Sequence, residues 1–129
     1  MDQQLTRAAR LNRNREAGNQ MLLNDYFNDN NVYPTVPFET RFRMSRRLFL
    51  KIVNDLEREH LWFPQRWDAH GRIGFTPLQK CTAAIRMMAY GKSGDSLDEY
   101  LRMSSRTIRT CLQKYCKGIL SYYLFLTLI

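Results

Sequence analysis

Hydrophobic residues recur at helical spacing along much of the chain, and the clearest pattern lies between Phe75 and Ile119. Wound at about 100° per residue, the last part of this stretch divides into two arcs. The apolar arc consists of Ile108, Cys111, Leu112, Tyr115 and Ile119. The polar arc consists of Arg106, Arg109, Thr110, Gln113 and Lys117. The pattern predicts a helix that packs with one face and can contact phosphates and bases with the other.

Two more helices are predicted just before it. Thr76 is a capping residue with Pro77 at the first helical position, and Gly91 follows the last apolar position. A short second helix then ends near Met103, and Ser104 caps the third. This order is typical of a helix-turn-helix over about 76–119. Because the turn before the third helix holds no glycine, Arg102 or Ser104 must take its place.

The first half of the chain is less regular. Residues 1–20 are polar and basic, which predicts a mobile or weakly helical arm, and a short apolar helix follows at 21–26. The turn-forming residues of 28–37 predict irregular structure. Ser45 then caps an amphipathic helix that runs to about Glu59. Together these patterns predict a small all-α domain over 21–119 with a helix-turn-helix-like carboxy-terminal half.

The segments 61–74 and 120–129 allow two interpretations each. The first mixes Trp62, Phe63 and Trp67 with Pro, Gly and Arg, so its aromatics either fill the core or stack on bases beside Arg66 and Arg72. The second is an apolar tail, too short to span a bilayer. It either extends the last helix into the core or marks an aberrant end of the chain.

The charge balance directs attention to nucleic acid. The chain has 129 residues, a net charge of +8 and a sequence pI near 9.8, and fifteen of its twenty cations are arginines. Arginine grips a phosphate or a guanine edge with two parallel hydrogen bonds, so this bias favours a nucleic-acid partner. We expect base contacts from the polar arc, with Arg106, Arg109, Thr110 and Gln113. The candidates for phosphate contacts are Lys92, Arg102, Lys114, Lys117, Arg41, Arg43, Arg46 and Arg47.

Other chemistry finds little support in the sequence. The three cysteines lack a CxxC pair and lie at apolar helical positions, which predicts reduced core residues in a reducing compartment. His60 and His70 do not have metal-ligand spacing with them, so we expect no metal and no cofactor. The amino terminus has no apolar run typical of a signal peptide, and no membrane partner is expected.

Three blocks of the chain carry a family resemblance. They begin FNDNNVYPTVPFETRFRMSRRLFLKIV, continue FPQRWDAHGRIGFTPLQKCTAAIRMMAYG and end DEYLRMSSRTIRTCLQKYCKGI. Over residues 22–119 the chain resembles the amino-terminal half of plant Harbinger-type transposase-derived proteins, the nuclease-like family. The resemblance implies a helical DNA-binding region, a nuclear location and a Myb-like protein partner. Where this chain has Ser105 and Arg106, the family's pattern has an acidic residue followed by a serine. The third helix of this chain is therefore more basic than that of the family.

The nuclease of that family is implied to be a following domain with three acidic metal ligands. No position here matches those carboxylates; Asp95, Asp98 and Glu99 lie within five residues of one predicted helix and cannot form a two-metal cage. The tail does not resemble the family's continuation, so we expect a truncated or mis-spliced copy without catalytic residues. Three functions remain to be weighed: a duplex-DNA-binding region, a module that docks on a nuclease domain or Myb-like partner, and residual nuclease activity. The sequence does not determine the oligomeric state.

Overall fold

The computed structural model describes residues 14–32, 35–90 and 100–128, and it confirms the all-α prediction. Five α-helices have both ends within these ranges: α1 (Arg15–Leu22), α2 (Thr35–Phe42), α3 (Arg46–Glu59), α4 (Pro77–Tyr90) and α5 (Ser105–Leu128). A π-helical turn, Leu23–Phe27, continues α1. In these ranges there is no β-strand, and one isolated antiparallel bridge joins Trp67 to Ile73. Residues 91–99 of the predicted middle helix lie outside the described ranges, so the helix-turn-helix stays a prediction.

The predicted capping residues start three of the helices. The Ser45 hydroxyl accepts from the backbone N–H of Leu48 at 3.1 Å and begins α3. Thr76 and Gln79 form a reciprocal capping box at α4, because each side chain accepts from the other's backbone N–H. At α5 the Ser104 hydroxyl accepts from the N–H of Thr107 at 3.2 Å. These bonds satisfy donors that a helix start would otherwise leave unpaired.

The predicted arm over 1–20 is corrected at its carboxy-terminal end. Helix α1 begins at Arg15, with the Asn14 side chain as its cap. The guanidinium carbon of Arg15 lies 4.4 Å from the centre of the Phe75 ring, and the Gln79 amide donates to the Arg15 carbonyl at 3.0 Å. Weak helicity is one of the two forms predicted for the arm, but an ordered helix from Arg15 is not predictable locally, because α1 has few apolar residues and is fixed by tertiary contacts. Residues 1–13 of the predicted arm lie outside the described ranges.

The predicted irregular segment over 28–37 is also too long. Helix α2 begins at Thr35, so Pro37 lies in its first turn. Proline is accepted there because the N–H groups of a first turn have no partner within the helix. Pro37 therefore marks the beginning of a helix, and the prediction of irregular structure at this position is wrong.

An aromatic cluster joins the π-helical turn to α2 and α3, and its members are Tyr26, Phe27, Phe38, Phe42 and Phe49. Phe38 and Phe42 stack with their centroids 4.1 Å apart, and Phe49 meets Phe42 edge to face at 5.0 Å. Both geometries are favourable for aromatic pairs and add to the burial of large apolar surfaces. This cluster is one half of the core.

The other half of the core lies between α4 and α5. Small residues of α4 are fully buried there, and Ile108, Cys111 and Tyr115 of α5 pack in the same core. Cys81 and Cys111 are free buried thiols, as the sequence predicted, and burial raises the pKa of both. They are therefore protonated and act as small apolar residues.

Helix α5 is held against α3 near its carboxy-terminal end. A Cβ on Gly118 would lie 2.7 Å from Cδ2 of Leu56, so the two helices approach closely at this glycine. Asp55 of α3 accepts from the Tyr123 hydroxyl, from Lys51 and from Arg58. The hydrogen bond from Tyr123, followed by that from Lys51, lowers the pKa of Asp55 to about 2. Asp55 is thus a nearly buried carboxylate that pairs with two cations of its own helix and accepts a hydrogen bond from α5.

The apolar tail over 120–129 extends α5 up to Leu128. Tyr123 packs against the core, whereas Leu120, Leu124, Phe125, Leu126 and Leu128 are exposed. At the helical period, Leu120, Leu124 and Leu128 continue the outward side of the helix beyond its last cation, Lys117. Among the residues that the structure describes, no helix is both long and apolar enough to cross a membrane.

Candidate nucleic-acid interface

The two arcs predicted for α5 occupy the predicted sides of the helix. Ile108, Cys111 and Tyr115 are buried, and Leu112 and Ile119 pack against the core with part of their surface. On the opposite side Arg106, Arg109, Gln113 and Lys117 are exposed. We call this side the outer face of α5, and it also includes Thr110 and Lys114. From Arg106 to Lys117 it extends about 16 Å at the helical rise of 1.5 Å per residue.

The outer face carries four cations, and in the part of the chain that the structure describes none of them has an ionic partner. Helix α5 has four cations and no Asp or Glu. Within the described ranges, the salt bridges involve residues of α3 and of the connector that follows it, and none reaches a cation of α5. Exposed cations that are not neutralised by a neighbour are available to phosphates, and each contact made would release condensed counterions from DNA.

The polar groups between these cations differ in what they can still offer. The Thr110 hydroxyl donates to the Arg106 carbonyl of its own helix at 3.1 Å. It can therefore accept a hydrogen bond from a base but has no free proton to donate. Gln113 is exposed, and its amide has both donors and an acceptor, which is the pattern that pairs with adenine in the major groove. The base-facing candidates thus form one row, with Gln113 the more versatile of the two uncharged groups.

Arg102, a phosphate candidate, mainly shapes the turn before α5. Its φ of 59° is in the left-handed region, which most turns reserve for glycine. Its side chain packs on α1, because a Cβ on Gly18 would lie 2.7 Å from Cγ of Arg102. Arg102 adopts the left-handed backbone conformation that a glycine would otherwise supply in this turn. Ser104 caps the helix that follows.

The four arginines at the junction of α2 and α3, here called the junction arginines, have two different environments. Arg41 donates to the Tyr26 hydroxyl at 2.9 Å, and Arg46 donates to the Tyr26 carbonyl at 2.8 Å. The Arg46 guanidinium also lies over the Phe38 ring at 4.9 Å. Arg43 and Arg47 are exposed. Two of these four phosphate candidates are therefore engaged inside the fold, and two face solvent.

The role of Tyr26 in this junction was missed by the sequence analysis. It is almost fully buried, and it supplies both its hydroxyl and its carbonyl as acceptors for arginine. No short-range signal marks such a residue, because its partners lie 15 and 20 positions away in the sequence. The nearest hint is the density of aromatic residues in the same region, since arginine packs well on aromatic rings.

The other residues considered in the sequence as DNA contacts or metal ligands do not belong to the outer face of α5 or to the junction arginines. Lys92 and the acidic residues Asp95, Asp98 and Glu99 lie at 91–99, outside the described ranges. His60 contacts Ser121 of α5 through its Nε2 at 3.2 Å, and His70 is exposed in the connector. In the ranges that the structure covers, His, Cys, Asp and Glu form no group of three that could hold a metal ion.

Part of the chain matches a known protein-family model. A family model described as a domain of unknown function (DUF8418) matches residues 18–57. This segment runs from α1 through most of α3, so it contains the aromatic cluster and the junction arginines but none of α5. No curated protein and no solved structure matches the chain. The match covers under half of the 129 residues and carries no statement of function.

Proposed function

We propose that this chain is a non-catalytic DNA-binding region of the Harbinger transposase type, which recognises duplex DNA through the outer face of α5. One observation carries the proposal: four cations on one helix, without an acidic residue on that helix and without an ion pair in the described ranges. The opposite face of α5 is fixed in the core, so the outer face is presented on a rigid element.

In this proposal Arg106, Arg109, Thr110 and Gln113 point toward base edges, while Lys114 and Lys117 contact phosphates. A helix of about 10 Å diameter fits the major groove, where the four base pairs present distinct donor and acceptor patterns. Arg102 and Lys92 complete a set of four phosphate contacts. Four contacts predict that log K falls with log salt with a slope of roughly −3.6.

The test compares two double variants that remove the same charge. Arg106→Ala with Arg109→Ala removes two cations of the outer face, and Arg43→Ala with Arg47→Ala removes two exposed junction arginines. Binding of a fluorescent duplex is measured by anisotropy at salt concentrations from about 50 to 200 mM, the range in which phosphate contacts dominate. We expect the first pair to weaken binding by roughly 10-fold or more and the second pair to do so much less. Equal losses of duplex affinity in the two variants would show that DNA is attracted by net charge alone. They would refute base recognition by the outer face of α5.

An alternative function is a protein-interaction module that docks on a nuclease domain or a Myb-like partner without binding DNA. The exposed apolar side chains beyond Lys117 favour it, because Leu120 and Leu124 continue the outer face of α5 as a partly apolar surface. In that case the wild type itself shows no duplex binding beyond that of the Arg43→Ala, Arg47→Ala variant, and Arg106→Ala with Arg109→Ala abolishes binding to a purified partner of either kind. The same variant therefore separates the two proposals.

A further inference from the structure

The connector between α3 and α4 contains a small, well-braced hairpin over residues 65–74. Trp67 and Ile73 pair across it, and three backbone bonds close it: Asp68 to Arg72, Gly71 to Asp68, and Gly74 to Arg66. The Asp68 carboxylate accepts from the backbone N–H groups of His70 and Arg72 at 2.8 and 2.9 Å. Gly71, at φ 76°, takes the left-handed conformation that the turn requires.

This hairpin is tied to the helical core by its second arm, where Arg15 of α1 donates to the Ile73 carbonyl at 3.3 Å. The base of the hairpin is closed by the Gln65 amide, which donates to the Gly74 carbonyl at 3.0 Å. Phe63 and Phe75, which flank the hairpin, are buried. The hairpin is therefore ordered at both ends, and a side chain that it exposes is held in position before any ligand arrives.

The three aromatics of the connector have different fates. Phe63 is 1% exposed and fills the core. Trp62 is half-buried, and the Lys80 ammonium lies 4.4 Å from the centre of its ring while donating to the Trp62 carbonyl. Trp67 is 67% exposed. Core packing thus explains Phe63 and Trp62, and it leaves the indole of Trp67 facing solvent from a rigid support.

The surroundings of Trp67 are positively charged. Arg66 and Arg72 are exposed, and the one acidic residue of the hairpin, Asp68, pairs with Arg72 and accepts from two backbone N–H groups, so Arg66 is the cation of the hairpin without an ion pair in the described ranges. The two arginines outnumber the single acid, so the hairpin carries a net positive charge. The potential near the hairpin is therefore positive, which suits a polyanion rather than an apolar or cationic partner.

We propose that Trp67 is a stacking platform for an unpaired base of single-stranded nucleic acid, with Arg66 and Arg72 on its phosphates. A base within a duplex already has neighbours on both faces, so this site requires an unpaired one. Trp67 and Ile73 share one face of the ribbon, and the arginines lie on the other. The hairpin is only two chain segments wide, about 4.8 Å from one to the other, so an extended arginine side chain reaches around its edge to a phosphate whose base lies on the opposite face. The site is separate from α5 and does not depend on duplex binding there.

The test uses the emission of Trp67 itself. The chain has two tryptophans, so Trp62→Phe leaves Trp67 as the single tryptophan, and its emission is followed with excitation that tyrosine does not absorb. Should that variant fail to fold, the emission of wild type minus that of Trp67→Phe isolates the same signal. We expect saturable quenching by an oligothymidylate of about twelve nucleotides, a length within the usual site size of single-strand binders. A blunt duplex of equal length should quench far less.

Trp67→Ala should weaken oligothymidylate binding by about 5- to 150-fold, the range seen when one stacked aromatic is removed. Its circular dichroism should be unchanged, because the side chain is exposed. Arg106→Ala with Arg109→Ala should retain the quenching, which keeps this proposal distinct from duplex binding by α5. Unchanged affinity of Trp67→Ala, equal quenching by duplex and single strand, or no quenching at all would each overturn the stacking site.

Discussion

The junction arginines and the cations of α5 carry similar charge but have opposite relations to the fold. Arg41 and Arg46 reach inward to Tyr26, and Arg46 also covers the Phe38 ring. Arg106 and Arg109 of α5 are exposed. The difference follows from the position of the acceptors. The junction arginines lie beside Tyr26, whose hydroxyl and carbonyl accept from Arg41 and Arg46. Arg106 and Arg109 lie on the side of α5 that faces away from the core.

The same contrast holds between the two helices that carry most cations. Helix α3 has four cations and three acids, and Asp55 and Glu59 pair with Lys51 and Arg58. Helix α5 has four cations and no acid. Exposed ion pairs contribute little to stability, yet they cancel the field that would attract a polyanion. Net charge of the whole chain therefore says less about a binding face than the placement of acids among the cations.

The largest expected effect comes from the aromatic cluster beneath the junction. Phe42→Ala removes a fully buried ring that stacks on Phe38, and it should lower the free energy of unfolding by about 3–5 kcal/mol. Urea denaturation followed by circular dichroism measures the change. If the variant lost less than about 1 kcal/mol, the aromatic cluster beneath the junction arginines would not be a main source of stability.

A matched pair of neighbouring arginines tests the junction directly. Arg46→Ala removes a charged hydrogen bond to the Tyr26 carbonyl and the cover of the Phe38 ring, so it should cost about 1–3 kcal/mol of stability. Arg47→Ala, one position later and exposed, should change stability by about 0.5 kcal/mol or less. Similar denaturation midpoints for the two variants would show that the inward contacts of Arg46 contribute no net stability.

The pH dependence of stability should reveal the charge network of α3. The Tyr123 hydrogen bond, together with Lys51 and Arg58, lowers the pKa of Asp55 from 3.8 to about 2. Because the folded pKa is depressed, this stabilisation is present above about pH 4 and is lost as the pH falls toward 2. We expect a loss of about 1–2 kcal/mol, discounted because Lys51 and Arg58 are exposed to solvent.

Asp55→Asn is the control for this titration. The variant should already be less stable at pH 7 and should lose less further stability between pH 4 and 2 than the wild type. A wild-type profile identical to that of the variant over this range would assign the acid sensitivity to other carboxylates.

Local signals predicted the parts of this fold that depend on neighbours in sequence. Ser45, Thr76 and Ser104 marked the starts of α3, α4 and α5, because a capping residue acts within three positions. The apolar arc of α5 was readable for the same reason, since helical periodicity is local. The start of α1 was not, because Arg15 is held by Phe75 and Ile73, which lie about sixty positions away.

The candidate interface divides along the same line. Exposure of Arg106 and Arg109 follows from the period of their own helix, so the sequence predicted it. Arg41 and Arg46 belong to one basic run with Arg43 and Arg47, and nothing within that run distinguishes the inward from the outward pair. Only the position of Tyr26, on a π-helical turn before α2, separates them.

The smallest expected change in stability completes the comparison. Arg106→Ala with Arg109→Ala should alter the free energy of unfolding by about 0.5 kcal/mol or less, because both side chains are exposed and make no ion pair in the described ranges. Alanine also has the higher helix propensity, which offsets part of any loss. Arg46→Ala serves as the positive control in the same denaturation experiment. A loss above about 1 kcal/mol in the α5 variant would mean that these cations stabilise the fold, and weaker DNA binding could then no longer be assigned to lost contacts.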